Sequence, residues 1–156
     1  MIAAVAAAVT FAVPLGACQP SGSAAVALDR SPAGLEQVPL TVTSAAHRTH
    51  KFVVEVASSP AEQQRGMMFR QSLAPDRGMI FPYAPPASVA FWMKDTLIPL
   101  DMLFVRADGT IARIEANAVP LSEEPVPAGE PIGAVLEIAG GRAAELGIAA
   151  GDKVSW

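Results

Sequence analysis

The chain has few of the residues on which most recognisable sites depend. Its 156 residues include one cysteine and two histidines, and Lys plus Arg number 11 against 15 acids. A single cysteine excludes an intramolecular disulfide, and His47 and His50 have no third ligand near them in sequence. The net charge of -4 comes without any basic block, so a nucleic-acid partner is not expected. We predict no metal and no cofactor.

Catalytic signatures are also scarce. No Gly-x-Ser-x-Gly elbow occurs, and Ala139-Gly140-Gly141-Arg142 lacks the length and the lysine of a phosphate-binding loop. Methionine could supply soft ligands for Cu(I) outside the cytoplasm, but it is also an ordinary filler of hydrophobic cores. We therefore interpret the central methionines as core residues: Met67, Met68, Met79, Met93 and Met102.

An uncharged apolar run from residue 2 to residue 15 opens the chain. It is too short for a transmembrane helix, which needs about 20 residues, and its length is typical of a secretory signal core. Small residues precede Cys18, as in bacterial lipoprotein signals. We predict a signal peptide over 1–18, a flexible tether rich in Ser, Gly, Ala and Pro over 19–37, and one domain over 38–156. The protein is then extracytoplasmic, either anchored to the membrane by a lipid on Cys18 or periplasmic or secreted.

Short β-rich runs separated by turn residues dominate residues 38–156. They predict a hairpin over 38–43 and 51–57, strands at 79–81, 88–94, 100–105 and 133–138, and a hairpin turn at Asp108-Gly109 with a bulge near Ala112. Short helices are predicted after Ser58 or Ser59, ending near Gly66, and over 142–146. The prediction is an α+β domain dominated by a curled antiparallel or mixed sheet or a small barrel, with two short helices.

The densest stretch for a site is residues 90–105, where charges interrupt a run that otherwise resembles a buried strand. Each such charge needs a partner or a route to water. A small anionic or sugar-like ligand would suit a polar cluster beside the Trp92 ring. The alternative is that these groups only pair with one another. The predicted ligand-binding residues are Arg65, Arg70, Trp92, Lys94, Asp95, Asp101 and Glu137.

Two other function classes stay open. A hydrolase would use two of the carboxyls of Asp76, Asp95, Asp101 and Glu137 as acid and base, about 5 to 10 Å apart across a cleft. A structural envelope protein would act through its surface, with the proline-rich loop Leu121 to Pro131 as its contact.

Four separated blocks carry a family resemblance: Arg65 to Arg70, Gly78 to Phe81, Phe91 to Phe104, and Val135 to Glu137 with Gly147 to Asp152. In this order and spacing they resemble the bacterial and archaeal family named domain of unknown function 192. The resemblance implies no assigned activity, and many members look secreted or membrane-anchored. The family pattern usually has Asn where this chain has Asp95.

Overall fold

A computed structural model describes residues 29–156 of the chain. The predicted signal peptide, Cys18 and residues 19–28 of the predicted tether lie outside the described residues. Within the part that is described, no helix is long and apolar enough to span a membrane.

Nine strands and two short helices make up the fold of residues 29–156. In chain order they are β1 (Gln37–Thr43), β2 (Thr49–Val56), α1 (Pro60–Arg65), β3 (Arg77–Ala87), β4 (Ala90–Phe91), β5 (Leu100–Val105), β6 (Ile111–Ala118), β7 (Val126–Pro127), β8 (Ile132–Ala139), α2 (Arg142–Leu146) and β9 (Lys153–Ser155).

Seven of the strands form one curled sheet in the order β6-β5-β8-β3-β2-β1-β9. Its neighbours are antiparallel except β2 and β3, which are parallel and are connected through α1. Backbone bonds draw the two edge strands together: Ile111 N–H donates to the Asp152 carbonyl at 2.9 Å, and Val154 N–H donates to the Gly109 carbonyl at 2.8 Å. The sheet is therefore a half-barrel, and the predicted α+β class with a curled mixed sheet and two short helices is confirmed.

Each face of the sheet buries its own hydrophobic cluster, because side chains alternate along every strand. One cluster contains Leu103, Leu136 and Ile138 and packs against α2 through Ala143. The second contains Met79, Phe81, Met102, Phe104 and Val135 and is covered by Met67 and Met93. The methionines at 67, 79, 93 and 102 are all buried there.

Several local predictions are confirmed. The β1–β2 and β5–β6 hairpins form, and Phe104 lies opposite Arg113 while Val105 lies opposite Ile111, which leaves Ala112 as the bulge. The Asp152 carboxylate accepts backbone N–H groups from Ala149 and from Ala45 of the β1–β2 turn, each at 2.9 Å.

Three segments differ from their predictions. The strand expected over 88–94 is only Ala90–Phe91, since Met93 to Thr96 form a turn. Strand β3 continues to Ala87 despite its prolines. Its pairing with β8 is irregular between Pro82 and Ala87, so the missing N–H groups of the prolines interrupt few ladder hydrogen bonds. The loop over 121–131 contains the short strand β7 and the buried Ala128.

The segment just before β1 already packs on the domain. Ser31 N–H donates to the Leu35 carbonyl at 2.9 Å, and Leu35 packs against the second hydrophobic cluster. Ordered structure thus begins before residue 38, where the sequence predicts the domain to start.

Candidate functional site

A pocket of about 270 Å³ opens on the sheet face that carries the second cluster. It lies between α1 and the chain that follows it, the outer half of β3, and the segment from β4 to Thr96. Its lining residues are Gln63, Gln64, Arg65, Gly66, Met67, Met68, Phe81, Tyr83, Ala90, Phe91, Trp92, Lys94, Thr96 and Glu137.

Local sequence signals fix α1 as one wall of the pocket. Ser59 accepts the Glu62 N–H, and the Glu62 carboxylate accepts the Ser59 N–H, which is a complete capping box. The Gln63 amide then donates to the carbonyls of Ala57 and Pro82 at 3.3 and 3.2 Å, which ties the helix to β3. Arg65 is consequently held at the pocket.

Glu137 forms the base of the pocket from the middle of the sheet. Its neighbours across β3 and β5 are Met79 and Met102. The next residues in this row are Glu55 on β2 and Glu115 on β6. A side chain at Gly78 would bring its Cβ within 2.5 Å of the Glu137 carbonyl, so glycine permits the close approach of β3 at this point. The pairing places Glu137 between the buried thioether side chains of Met79 and Met102.

The Glu137 carboxyl is buried but has no hydrogen-bond partner among residues 29–156. The residue is only 4% exposed. Burial raises the pKa of Glu137 to about 8, and the Arg70 guanidinium opposes this shift. In the same part of the chain, the one fully enclosed polar side-chain atom without a partner is His50 Nε2. The Glu137 oxygens therefore keep access to the open volume of the pocket, and the carboxyl is largely neutral at pH 7.

Tyr83 stands on β3 in the same pocket and is half-buried. Burial, with a contribution from the charge of Glu137, raises the pKa of Tyr83 to about 12. The phenol is therefore a neutral hydrogen-bonding group at any ordinary pH.

Two cations at the pocket rest on exposed aromatic rings rather than on carboxylates. Lys94 Nζ lies 5.3 Å from the centre of the Trp92 ring, and the Arg65 guanidinium carbon lies 5.9 Å from that of Phe69. Trp92 is 45% exposed and Phe69 is 56% exposed. Across the described residues, no carboxylate forms an ion pair with either cation. Both cations are free to meet an anion.

Asp95 shapes the turn that presents Lys94. Its φ of +53° lies in the left-handed region, where Asp and Asn are tolerated better than most residues. Its carbonyl accepts the Phe69 N–H at 2.8 Å, which joins this turn to the segment after α1. Its side chain lines a shallower depression beside the pocket, together with Arg65, Phe69, Trp92 and Lys94. The backbone therefore explains why Asp or Asn suits this position.

Asp101 lies on the opposite face of the sheet from Glu137. It is 0% exposed, and its carboxylate accepts N–H groups of Asn117, Gly141 and Ala143 at 2.7 to 2.8 Å. Because β5 pairs Asp101 with Ile138 and Met102 with Glu137, the two carboxyls point to different faces. Asp101 holds the start of α2 and is not among the residues that line the pocket.

Arg70 also lies outside the pocket lining. Its guanidinium bonds the Glu55 carboxylate at a neighbouring surface depression. Arg70 acts on the site only through its charge, which opposes the raised pKa of Glu137. Of the seven predicted ligand-binding residues, the structure brings Arg65, Trp92, Lys94 and Glu137 into one pocket.

The hydrolase alternative required two carboxyls across one cleft. Of its four candidates, Glu137 is the one that lines the pocket, whereas Asp101 lies on the other face and Asp76 is exposed beside Arg77. Within residues 29–156, no group of three or more His, Cys, Asp or Glu side chains is placed to hold a metal ion.

Sequence reasoning did not select the aromatic and apolar lining of the pocket. Phe81 and Phe91 meet edge to face with ring centres 5.0 Å apart, and Tyr83 and Thr96 complete the lining. Tyr83 is the sole tyrosine of the chain, in a proline-rich run, which is the one signal that could have pointed to it.

Comparison with known proteins decides the family. The model of the family domain of unknown function 192, described as "Uncharacterized ACR", matches residues 41–156. The chain belongs to this family. No curated protein matches it significantly.

Two solved structures resemble this member of the family closely. One is a protein of unknown function from Novosphingobium aromaticivorans DSM 12444, with 48% identity over 90% of this chain and 100% of the other, and a TM-score of 0.81. The second, from Sinorhizobium meliloti 1021, is named as a proposed transcription regulator and has 40% identity over 78% of this chain and 94% of the other, with a TM-score of 0.76. The family and its fold are thus shown, and its function is uncharacterised.

Proposed function

We propose that this domain binds a small anionic or sugar-like ligand in the pocket above Glu137. The observation that carries the proposal is a 4% exposed carboxyl that lines an open pocket and has no hydrogen-bond partner among the described residues. Because the Glu137 oxygens face the open volume of the pocket, a ligand there can hydrogen-bond to them, which contributes about 0.5 to 1.5 kcal/mol. Lys94 and Trp92 at the same pocket supply a cation and a stacking surface.

We place this binding in the cell envelope. The support is the apolar segment over residues 2–15 followed by Cys18, which has the length and order of a lipoprotein signal. A domain tethered in this way would present its pocket to molecules outside the cytoplasm.

Native mass spectrometry of the protein in its processed form, purified gently from its own host, tests the binding. We expect a reproducible mass above that of the denatured protein in the parent, and its loss in Glu137→Gln. The matched control is Glu115→Gln, on the same row of the sheet but outside the pocket lining. An extra mass that survives Glu137→Gln, or a bare protein mass in the parent, would contradict the proposal.

A further inference from the structure

The charges around the pocket have an order that restricts the ligand further. The acid lies at the base, where Glu137 is enclosed by Met79 and Met102. The cations Arg65 and Lys94 lie at the mouth on exposed aromatic rings. Neither the acid nor the two cations are ion-paired with any group in the described part of the chain. The pocket therefore has an acid inside, which is negative once it ionises, and two cations outside.

The acid and the two cations are separate. No ion pair joins Glu137 to Lys94 or to Arg65 among the described residues. The walls between them are mixed: Met67, Phe81 and Phe91 are apolar, and Gln63, Tyr83 and Thr96 carry polar groups. A ligand that pairs with both the acid and the cations needs opposite charges at its own two ends.

We infer that the natural ligand is a small zwitterion, with an ammonium group on Glu137 and a carboxylate at Lys94 and Arg65. This inference rests on the proposed function and names the ligand class for that site. A volume of about 270 Å³ has room for roughly nine waters of about 30 Å³ each, which suits a molecule of similar heavy-atom count. An aromatic wall also favours an ammonium group, whose charge the ring faces attract.

The inference has a defined pH dependence. Raising the pH ionises Glu137, and the ionised carboxylate is the form that pairs with an ammonium. The neighbours that face Glu137 on β3 and β5 are the apolar Met79 and Met102. The raised pKa of Tyr83 keeps its phenol neutral over this range, and Arg70 is ion-paired with Glu55. On the far side of β5, Glu115 is paired with Arg113. Glu137 is thus the group of the pocket expected to titrate near pH 8.

Three molecules of one shape test the charge pattern by calorimetry on the full chain. The zwitterion is 4-(trimethylammonio)butyrate, its methyl ester keeps only the cation, and 5,5-dimethylhexanoate keeps only the anion. None of their charges titrates between pH 6.5 and 8.5. We expect the zwitterion to bind at least tenfold more tightly than either analogue, and its affinity to rise roughly tenfold between pH 6.5 and 8.0.

Variants separate the inference from the proposed function. Glu137→Gln should abolish the pH dependence and lower the affinity for the zwitterion more than tenfold at pH 8.0. Lys94→Ala should lower the affinity for the two carboxylates but not for the ester. Glu115→Gln should leave all three affinities unchanged. Three results would overturn the inference of a zwitterionic ligand. They are equal or tighter binding of 5,5-dimethylhexanoate, an affinity for the zwitterion that falls as the pH rises, and no binding of any of the three molecules. If the mass retained from the host is still lost in Glu137→Gln, the pocket keeps its proposed function and only the ligand class fails.

Discussion

At the residue scale, Glu137 is the carboxyl whose surroundings differ most from those of an ordinary glutamate. Other buried acids of the described chain have partners: Asp101 accepts three backbone N–H groups, Asp152 accepts two, and Glu55 pairs with Arg70. Glu137 lies between two methionines and has no such partner among residues 29–156. A buried acid whose oxygens face an open pocket rather than a protein partner is a candidate for contact with a ligand.

The raised pKa of Glu137 predicts how stability depends on pH. The folded protein holds this proton up to about pH 8, whereas the unfolded chain releases it near the ordinary value of 4.5. The contribution of Glu137 is therefore fully present below pH 4.5 and is lost as the pH rises toward 8, by up to about 1.4 kcal/mol per pH unit. Urea unfolding of the parent at pH 5, 7 and 9 should show this loss.

Glu137→Gln should remove that loss, because the amide does not titrate. Its stability should then decline less than that of the parent between pH 5 and 9, while Glu115→Gln should follow the parent. Parallel curves for the parent and Glu137→Gln would mean that the carboxyl is ionised in the folded protein at neutral pH.

Sequence and structure agree best where one residue decides a local conformation. Pro60, Ser59 and Glu62 predict the start of α1, and Asp108-Gly109 predicts its hairpin, since each depends on neighbours in the chain. Whether Asp101 and Glu137 lie on the same face of the sheet depends on strand register instead. The sequence does not tell that β8 lies between β5 and β3 with Met102 opposite Glu137, and a shift of one residue moves a side chain to the other face.

At the element scale, α2 depends on a side chain from another strand. Its N-cap is Gly141, which offers no side chain, and Asp101 of β5 accepts the Gly141 and Ala143 N–H groups in its place. Asp101→Asn should cost roughly 2 to 4 kcal/mol, because an amide would meet these donors with a weaker acceptor or with its own N–H group. Chemical denaturation measures this, with the exposed Asp76→Asn as the control.

The same variant distinguishes a structural role from a ligand contact. If Asp101→Asn remains folded at low temperature, it should retain any ligand that Glu137→Gln loses, because Asp101 lies on the other face of the sheet. Loss of the ligand from a folded Asp101→Asn protein would show that Asp101 contributes to ligand binding.

Helix α1 depends on its capping box, and α1 places Arg65 at the pocket. Ser59→Ala removes the side-chain acceptor for the Glu62 N–H and should lower the free energy of unfolding by about 1 kcal/mol. Ser58→Ala is the matched control, since its neighbouring hydroxyl is exposed and forms no side-chain bond among the described residues. Equal stability of the two variants would show that the box contributes little.

The segment from β4 to Thr96 shows why element boundaries limit site prediction. An alternating strand over 88–94 would place Phe91 and Trp92 on opposite faces. The turn at Met93 to Thr96 breaks this alternation, so Phe91, Trp92, Lys94 and Thr96 all line one pocket. The turn depends on the left-handed Asp95 and on the bond to Phe69, which is distant in sequence.

At the scale of the whole molecule, the half-barrel keeps two hydrophobic clusters apart on the two faces of one sheet. One face is filled and closed by α2. The other is covered incompletely by α1, Met67 and Met93, and the uncovered part is the pocket. A fold of this kind separates the packing that stabilises it from the surface that can bind.

The predicted anchor is a property of the full chain. If Cys18 carries a lipid, metabolic labelling with a fatty acid should mark the parent, and Cys18→Ala should lose the label and leave the membrane fraction. Ser23→Ala, a substitution in the predicted tether, is the control and should behave as the parent. An unlabelled parent would favour ordinary secretion, and neither result bears on the pocket.

The protonation of Glu137 is the most direct test, because the pH dependence of stability and the pairing of Glu137 with an ammonium group both depend on it. The measurement is a carbon-13 NMR titration of the Glu137 side-chain carboxyl in the full chain, assigned by its absence in Glu137→Gln. A midpoint near pH 8, moving lower when 4-(trimethylammonio)butyrate is added, is the predicted result. A midpoint near the ordinary 4.5, unchanged by the zwitterion, would contradict the raised pKa and the contact between the ammonium group and Glu137.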